Sequence, residues 1–90
     1  MKLYTLYIGH DNNTLKRFKQ QVINKCINKY FEAYTTQLVT GYYKGIKEDS
    51  YKIEIITNDD KKVNKLKNYL VNELNQESIL KTTNLLSIEF

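Results

Sequence analysis

The apolar residues of this chain change their spacing in a fixed order, and that order restricts the possible folds more than any single motif does. In KLYTLYI, residues 2–8, Leu3, Thr5 and Tyr7 alternate with Tyr4, Leu6 and Ile8. A period of two belongs to a strand, and apolar or β-branched types on both sides predict a central strand covered on both faces. From Leu15 the spacing becomes three or four, through Phe18, Val22, Ile23, Cys26, Ile27, Tyr30 and Phe31. That is one helical stripe, with Lys16, Arg17, Lys19, Gln20, Asn24, Lys25 and Asn28 on the other side. The Asp, Asn and Thr side chains of residues 9–14 are expected to make the turn and cap the helix, because they accept bonds from its free first amides.

The period of two returns in AYTTQLVTGYYKG, residues 33–45, and in YKIEIIT, residues 51–57, where Tyr51, Ile53 and Ile55 alternate with Lys52 and Glu54. These segments read as a hairpin, with the charged residues 46–50 as its connection. Asn58, Asp59 and Asp60 then form a helix start, placing acidic groups at the positive end of the helix dipole. The second helix is expected to run to about Asn75, with Val63, Leu66, Tyr69, Leu70 and Leu74 inward. A final strand is expected over residues 79–90, with Leu86, Ile88 and Phe90 alternating with Ser87 and Glu89.

The resulting order predicts an α+β protein, a ferredoxin-like βαββαβ two-layer sandwich. Right-handed crossovers would set a four-stranded antiparallel sheet in the order 4-1-3-2 with both helices on one face. Residues 1–90 are expected to be a single domain, with Tyr4, Leu6, Ile8, Phe18, Val22, Cys26, Ile53, Ile55, Leu66, Leu70, Leu86 and Ile88 in the core.

The single cysteine, Cys26, and the single histidine, His10, exclude an internal disulfide and a cysteine or histidine metal cluster. Met1 leads straight into a strand, and no apolar run approaches the roughly 20 residues needed to cross a bilayer. A cytoplasmic location without membrane contact is the expectation. The formal charge of +4 comes from abundant lysine and one arginine, Arg17. Base reading and bidentate phosphate capture favour the guanidinium fork, so the composition argues against sequence-specific nucleic-acid recognition.

His10 and Asp11 follow the first strand, a common ligand position, but no Ser or Cys motif or phosphate-cradling glycine loop accompanies them. Glu48-Asp49 and Asp59-Asp60 are accounted for by turn and capping preferences, and Cys26 by core packing. No catalytic, cofactor-binding or metal-ligating residue is therefore assigned, and the chain is expected not to be an enzyme.

Eight tyrosines and three phenylalanines point instead to a surface. Tyrosine buries a large rigid body at low entropy cost and keeps a polar tip, which suits protein interfaces. Leu3, Tyr7, Tyr42, Tyr43, Ile56 and Leu85 are expected to make the uncovered sheet face partly apolar, either for a protein partner or for a homodimer. The alternative is a nucleic-acid or nucleotide-ligand module that uses this face together with a basic helix surface. Its residues would be Tyr7, Lys16, Arg17, Lys61, Lys62 and Lys65, although the third strand lacks the basic-glycine-aromatic pattern of RNA-binding sheets.

Taken together, YTLYIG, GYYKG and the following E-x-S-Y-x-I-E-I-I-T, present here as EDSYKIEIIT, resemble a group of small uncharacterised phage- and plasmid-associated proteins of low-GC bacteria. Members carry Y-x-L-Y-I-G and G-Y-[WY]-x-G strands. The likeness implies a small accessory protein of a mobile element, a setting in which compact domains act as inhibitors of a host defence component. It carries no catalytic residue to this sequence.

Overall fold

A computed structural model describes residues 1–89. The elements follow in the order β1 (Lys2–Ile8), α1 (Gln20–Ile27), β2 (Thr35–Tyr43), β3 (Ile46–Thr57), α2 (Asp60–Glu73) and β4 (Leu80–Leu85). The protein is thus α+β, with one four-stranded antiparallel sheet in the order β2-β3-β1-β4. Read from the other edge, this is the strand order 4-1-3-2. Phe90, expected to end the last strand, lies outside the described residues.

β1 is paired on both sides, Tyr4 opposite Ile55 on β3 and opposite Thr83 on β4. Tyr4, Leu6 and Ile8 are fully buried, as are Ile53 and Ile55. They share one core with Ile23, Cys26 and Ile27 of α1 and Val63, Leu66 and Leu70 of α2. Tyr51 completes this layer, and its hydroxyl donates to the Phe18 carbonyl at 2.6 Å.

Several sequence expectations are corrected, each for a local reason. The first helix begins at Gln20 and not near Leu15. Asp11, Asn13 and Thr14 are used in the preceding loop, where the Asp11 carboxylate accepts from the Asn13 amide at 2.8 Å and the Thr14 hydroxyl from the Lys16 amide at 3.3 Å. The Leu15 amide donates to the Asp11 carbonyl, the Asp11 amide to the Lys16 carbonyl, and Leu15 takes φ 59. Short polar side chains serve such turns as readily as they cap helices. With the helix shortened, its inward residues are Ile23, Cys26 and Ile27, and Val22 is exposed. Phe18 packs against the core from outside the helix.

The hairpin connection is also shorter than expected. Lys44 and Gly45 turn the chain with φ 51 and 77, and Tyr43 pairs with Ile46. Two left-handed residues in succession match the twist of the flanking strands. Residues 46–50, read as a connection, therefore belong to a strand of 12 residues. At the other end of the chain, β4 stops at Leu85 because β1 begins at Lys2, its partner. Leu86 adds one backbone bond to the Met1 carbonyl, and Leu86 and Ile88 are half-buried, not core.

The second helix starts as expected, with the Asp59 carboxylate accepting from the Lys62 amide at 3.0 Å. Lys81 ties β4 to this helix, reaching Asn64 at 2.6 Å and Asp60 at 3.3 Å. The Tyr4 hydroxyl, beside Asp60 but outside ordinary hydrogen-bond geometry, is the first cause holding that carboxyl below its usual range, and Lys81 is the second.

Two outcomes follow for stability. Ile55→Asp would bury an unpaired charge in a domain with about 5–15 kcal/mol to lose, and no cooperative melting transition should remain. Because the Asp60 carboxyl titrates lower folded than unfolded, its contribution is present above the ordinary carboxylate range near pH ~4 and is lost as pH falls through the folded value. The Tm difference between wild type and Asp60→Asn should therefore be larger at pH 7 than at pH 3.

Candidate functional site

β3 outruns β1. The β1–β3 pairing ends at Ile8 opposite Tyr51, whereas β2 and β3 continue together to Tyr43 opposite Ile46. The overhanging hairpin is a two-stranded arm, and the molecule extends 40 × 25 × 20 Å. At the root of the arm lies a groove of about 500 Å³. A cavity of this size is in the range that takes small-molecule ligands.

Strand alternation shows which face the groove uses. Tyr7 on β1, Glu48 and Ser50 on β3, Val39, Gly41 and Tyr43 on β2 and Leu80 on β4 all line it. By the pairing register, these residues lie opposite the face that carries Tyr4, Leu6, Ile8, Ile53 and Ile55. The remaining wall comes from Gly9 and Asn12 after β1 and from Gln76, Glu77 and Ser78 before β4.

Gln76 fixes these two loops to one another. Its side-chain carbonyl accepts from the Gly9 amide at 3.0 Å, and its side-chain amide donates to the His10 carbonyl at 3.1 Å. Asn12 adds a bond to the Asn75 carbonyl at 3.0 Å. Across the groove the Tyr43 hydroxyl donates to the Glu77 carboxylate at 3.4 Å, so the arm reaches the loop before β4. The Glu48 side chain is half-buried and its carboxylate lies in the space that a side chain at Gly9 would occupy.

The electrostatics of the groove oppose those of the chain. The lining contains two carboxylates, Glu48 and Glu77, and no lysine, arginine or histidine, in a protein of formal charge +4. Among the described residues the ion pairs are Arg17–Asp49 and Lys81–Asp60, and neither involves the groove.

The residues expected to form a protein interface are divided by the fold. Leu3 and Ile56 face each other across β1 and β3 on the groove's side of the sheet, with Ile56 52% exposed. Tyr7 and Tyr43 share that side and line the groove. Tyr42 is one residue out of phase with Tyr43 and points to the other side of the arm, although it reaches the groove edge. Leu85 is corrected: it pairs with Lys2 and so belongs to the side of Tyr4, where it is 84% exposed.

The alternative nucleic-acid set is not brought together either. Lys61, Lys62 and Lys65 are exposed on α2, and the Lys62 ammonium stands 5.0 Å over the Phe31 ring. Lys16 is exposed in the loop before α1. Arg17 is engaged with the arm, through the Val39 carbonyl at 3.3 Å and Asp49 at 3.8 Å. Tyr7 projects from the opposite side of the sheet to the one packed on α2.

His10 is buried at the junction, and its main chain is what Gln76 holds. Burial pushes the Cys26 thiol up, and Glu73 adds to the effect, so the thiolate needed for nucleophilic chemistry is disfavoured. Among the described residues, no three His, Cys, Asp or Glu side chains are grouped to hold a metal ion. No described helix is long and apolar enough to cross a membrane.

Sequence reasoning missed Glu48, Gln76 and Glu77 as site residues. Glu48 sits in a segment read as a loop. Residues 46–50 carry no apolar alternation that marks a strand, since after Ile46 both phases are polar or charged. No local signal marks Gln76 and Glu77, since their partners lie 67 and 34 residues away.

No family model and no curated protein matches the sequence. Solved structures do match in shape. A phage SAM lyase in its apo state is 18% identical with a TM-score of 0.69, over 92% of this chain and 78% of that one. A DUF3240 family protein from Shewanella baltica is 9% identical with a TM-score of 0.58, over 99% of this chain and 93% of that one. Both likenesses establish a shared fold.

The Gln76 bridge leads to a prediction about the junction. Gln76→Ala removes both of its bonds, and at about 1 kcal/mol net per hydrogen bond it should lower unfolding stability by about 1–2 kcal/mol. Hydrogen exchange at the Gly9 amide should accelerate by more than exchange at the amides of Leu6 or Ile53.

Proposed function

We propose that this chain binds a small, positively charged nucleoside in the groove at the root of the arm, and that S-adenosylmethionine represents the ligand class. The observation that carries the reading is the pair of carboxylates in a groove with no lysine, arginine or histidine among its lining residues, within a basic protein; Lys44, over the Tyr43 ring at 5.1 Å, and Lys52, opposite Tyr7, stand at its margin. A concavity lined by one sign of charge raises the local concentration of the opposite sign. Tyr7 and Tyr43 add aromatic surface, which attracts both a base and a cation.

The shared fold with a phage SAM lyase supports the same ligand class. That likeness also suits a phage or plasmid setting. The scaffold is proposed to be the ferredoxin-like sandwich, its two helices together covering the sheet face turned away from the groove. Of the two readings made from the sequence, nucleotide-ligand binding on the uncovered face is favoured over a protein-blocking inhibitor. An inhibitory surface, or a homodimer through the same residues, would call for one contiguous patch, and the register divides Leu3, Tyr7, Tyr43 and Ile56 from Tyr42 and Leu85.

A second reading, turnover of the ligand, is favoured by the fold shared with that lyase. The expectation of no enzymatic activity rested on the lack of a converging nucleophile, base or metal set. A sulfonium is already a good leaving group, because breaking its carbon–sulfur bond leaves a neutral thioether. The step balances without a protein nucleophile when the ligand's own carboxylate closes on the carbon that the thioether leaves, forming a lactone as the carbon–sulfur bond breaks, so a site that orients the ligand for that closure can promote cleavage.

Equilibrium dialysis of the full chain against S-adenosylmethionine and against ATP at physiological salt tests the binding. The sulfonium nucleoside should be retained and the anionic triphosphate should not. Equal retention of ATP, or no retention of S-adenosylmethionine, would sink the proposal. Chromatography of the same samples reads turnover, and consumption of S-adenosylmethionine that disappears in Glu48→Gln would make the groove an active site.

A further inference from the structure

We infer that Gly9 sets the charge selectivity of the groove, by leaving empty the space in which the Glu48 carboxylate lies. This rests on the ligand reading above and adds the residue that places the negative charge. A side chain at position 9 would collide with Glu48 Oε2 and come within 3.3 Å of Gln76 Oε1. Gly9 is not among the positive-φ residues, so its backbone is open to alanine and the constraint is one of space.

Gly9 is itself held, because its amide donates to Gln76 at 3.0 Å. The Glu48 carboxylate has neither a hydrogen-bond donor nor an ion-pair partner among the described residues. Its position therefore depends on the room that Gly9 and Gln76 leave for it. The colliding atom is the far end of a flexible side chain, so a methyl group at position 9 displaces the carboxylate and spares the fold. A ligand's positive charge would then lose the opposite charge held at that place, while its base and sugar would keep their contacts with the rest of the groove.

The test compares two ligands that differ in that charge, S-adenosylmethionine and S-adenosylhomocysteine, the neutral thioether lacking the methyl group. Wild type should prefer the sulfonium by about tenfold, the ratio that 1.4 kcal/mol gives. Gly9→Ala should reduce this preference to about twofold or less, with Tm within a few degrees of wild type and the homocysteine compound still bound. Glu48→Gln should do the same. In a Glu48→Ala background, where no carboxylate is left to displace, adding Gly9→Ala should leave the preference unchanged; this cycle also covers any loss of stability in the single variant.

A Gly9→Ala protein that keeps the full preference would overturn the role of Gly9, as would equal weakening of both ligands. Binding of neither ligand by wild type would instead remove the ligand reading of the groove. In that case carboxyl-carbon NMR judges the placement separately: the Glu48 resonance should shift in Gly9→Ala, and an unmoved resonance would count against it.

Discussion

The difference in length between β1 and β3 is the constraint on which the rest of this structure depends. β1 offers seven residues and β3 twelve. Where both are present, the sheet buries Tyr4, Leu6, Ile8, Ile53 and Ile55 beneath the helices' apolar residues, and the core forms there. Where β1 has ended, β3 has only β2 to pair with. A two-stranded ribbon cannot cover its own faces, so the arm remains accessible and a groove opens at its root. Core and groove are consecutive segments of one strand.

That continuity explains the character of residues 46–50. In a fully paired central strand, Lys47, Glu48 and Asp49 would be expensive to bury. On an arm they can alternate between two solvated sides. Asp49 takes up a partly exposed pairing with Arg17 on one side, worth little by itself, while Glu48 turns to the groove on the other. Their charge disguises the strand in the sequence and gives the site its chemistry in the fold.

The legible parts of the sequence were those decided by local periodicity backed by burial. Tyr4, Leu6 and Ile8, Tyr51, Ile53 and Ile55, and the Asp59 cap with Val63, Leu66 and Leu70 lie where alternation and helical spacing put them. Reading failed where a residue type serves two geometries. Asp11, Asn13 and Thr14 closed a loop when a cap was expected, which moved the start of α1 to Gln20 and turned Val22 outward. The end of β4 depended on where β1 begins, a long-range fact that the alternation of Leu86 and Ile88 does not carry. Among the site residues, Tyr7 and Tyr43 were legible as aromatic residues on strands. Glu48, Gln76 and Glu77 became site residues only through contacts across the chain.

The charge of the groove has a cost that bears on its use. Glu48 and Glu77 bring two negative groups into one concavity without a lysine or arginine among the lining residues, although the chain has 14 such residues. Like charges in a partly enclosed site repel more strongly than they would in open water, since screening weakens as solvent is displaced. Water in the open groove, and the Tyr43 hydroxyl on Glu77, offset part of that repulsion. A cationic ligand would relieve the rest, whereas a phosphate would add to it. The lysines on α2 lie on the far side of the sheet, while Lys52 opposite Tyr7 and Lys44 over the Tyr43 ring stand at the groove's margin, so net charge and lining charge point to different partners. The site is the more specific guide, because interaction energy falls with distance and the two carboxylates are the ionised groups among the lining residues.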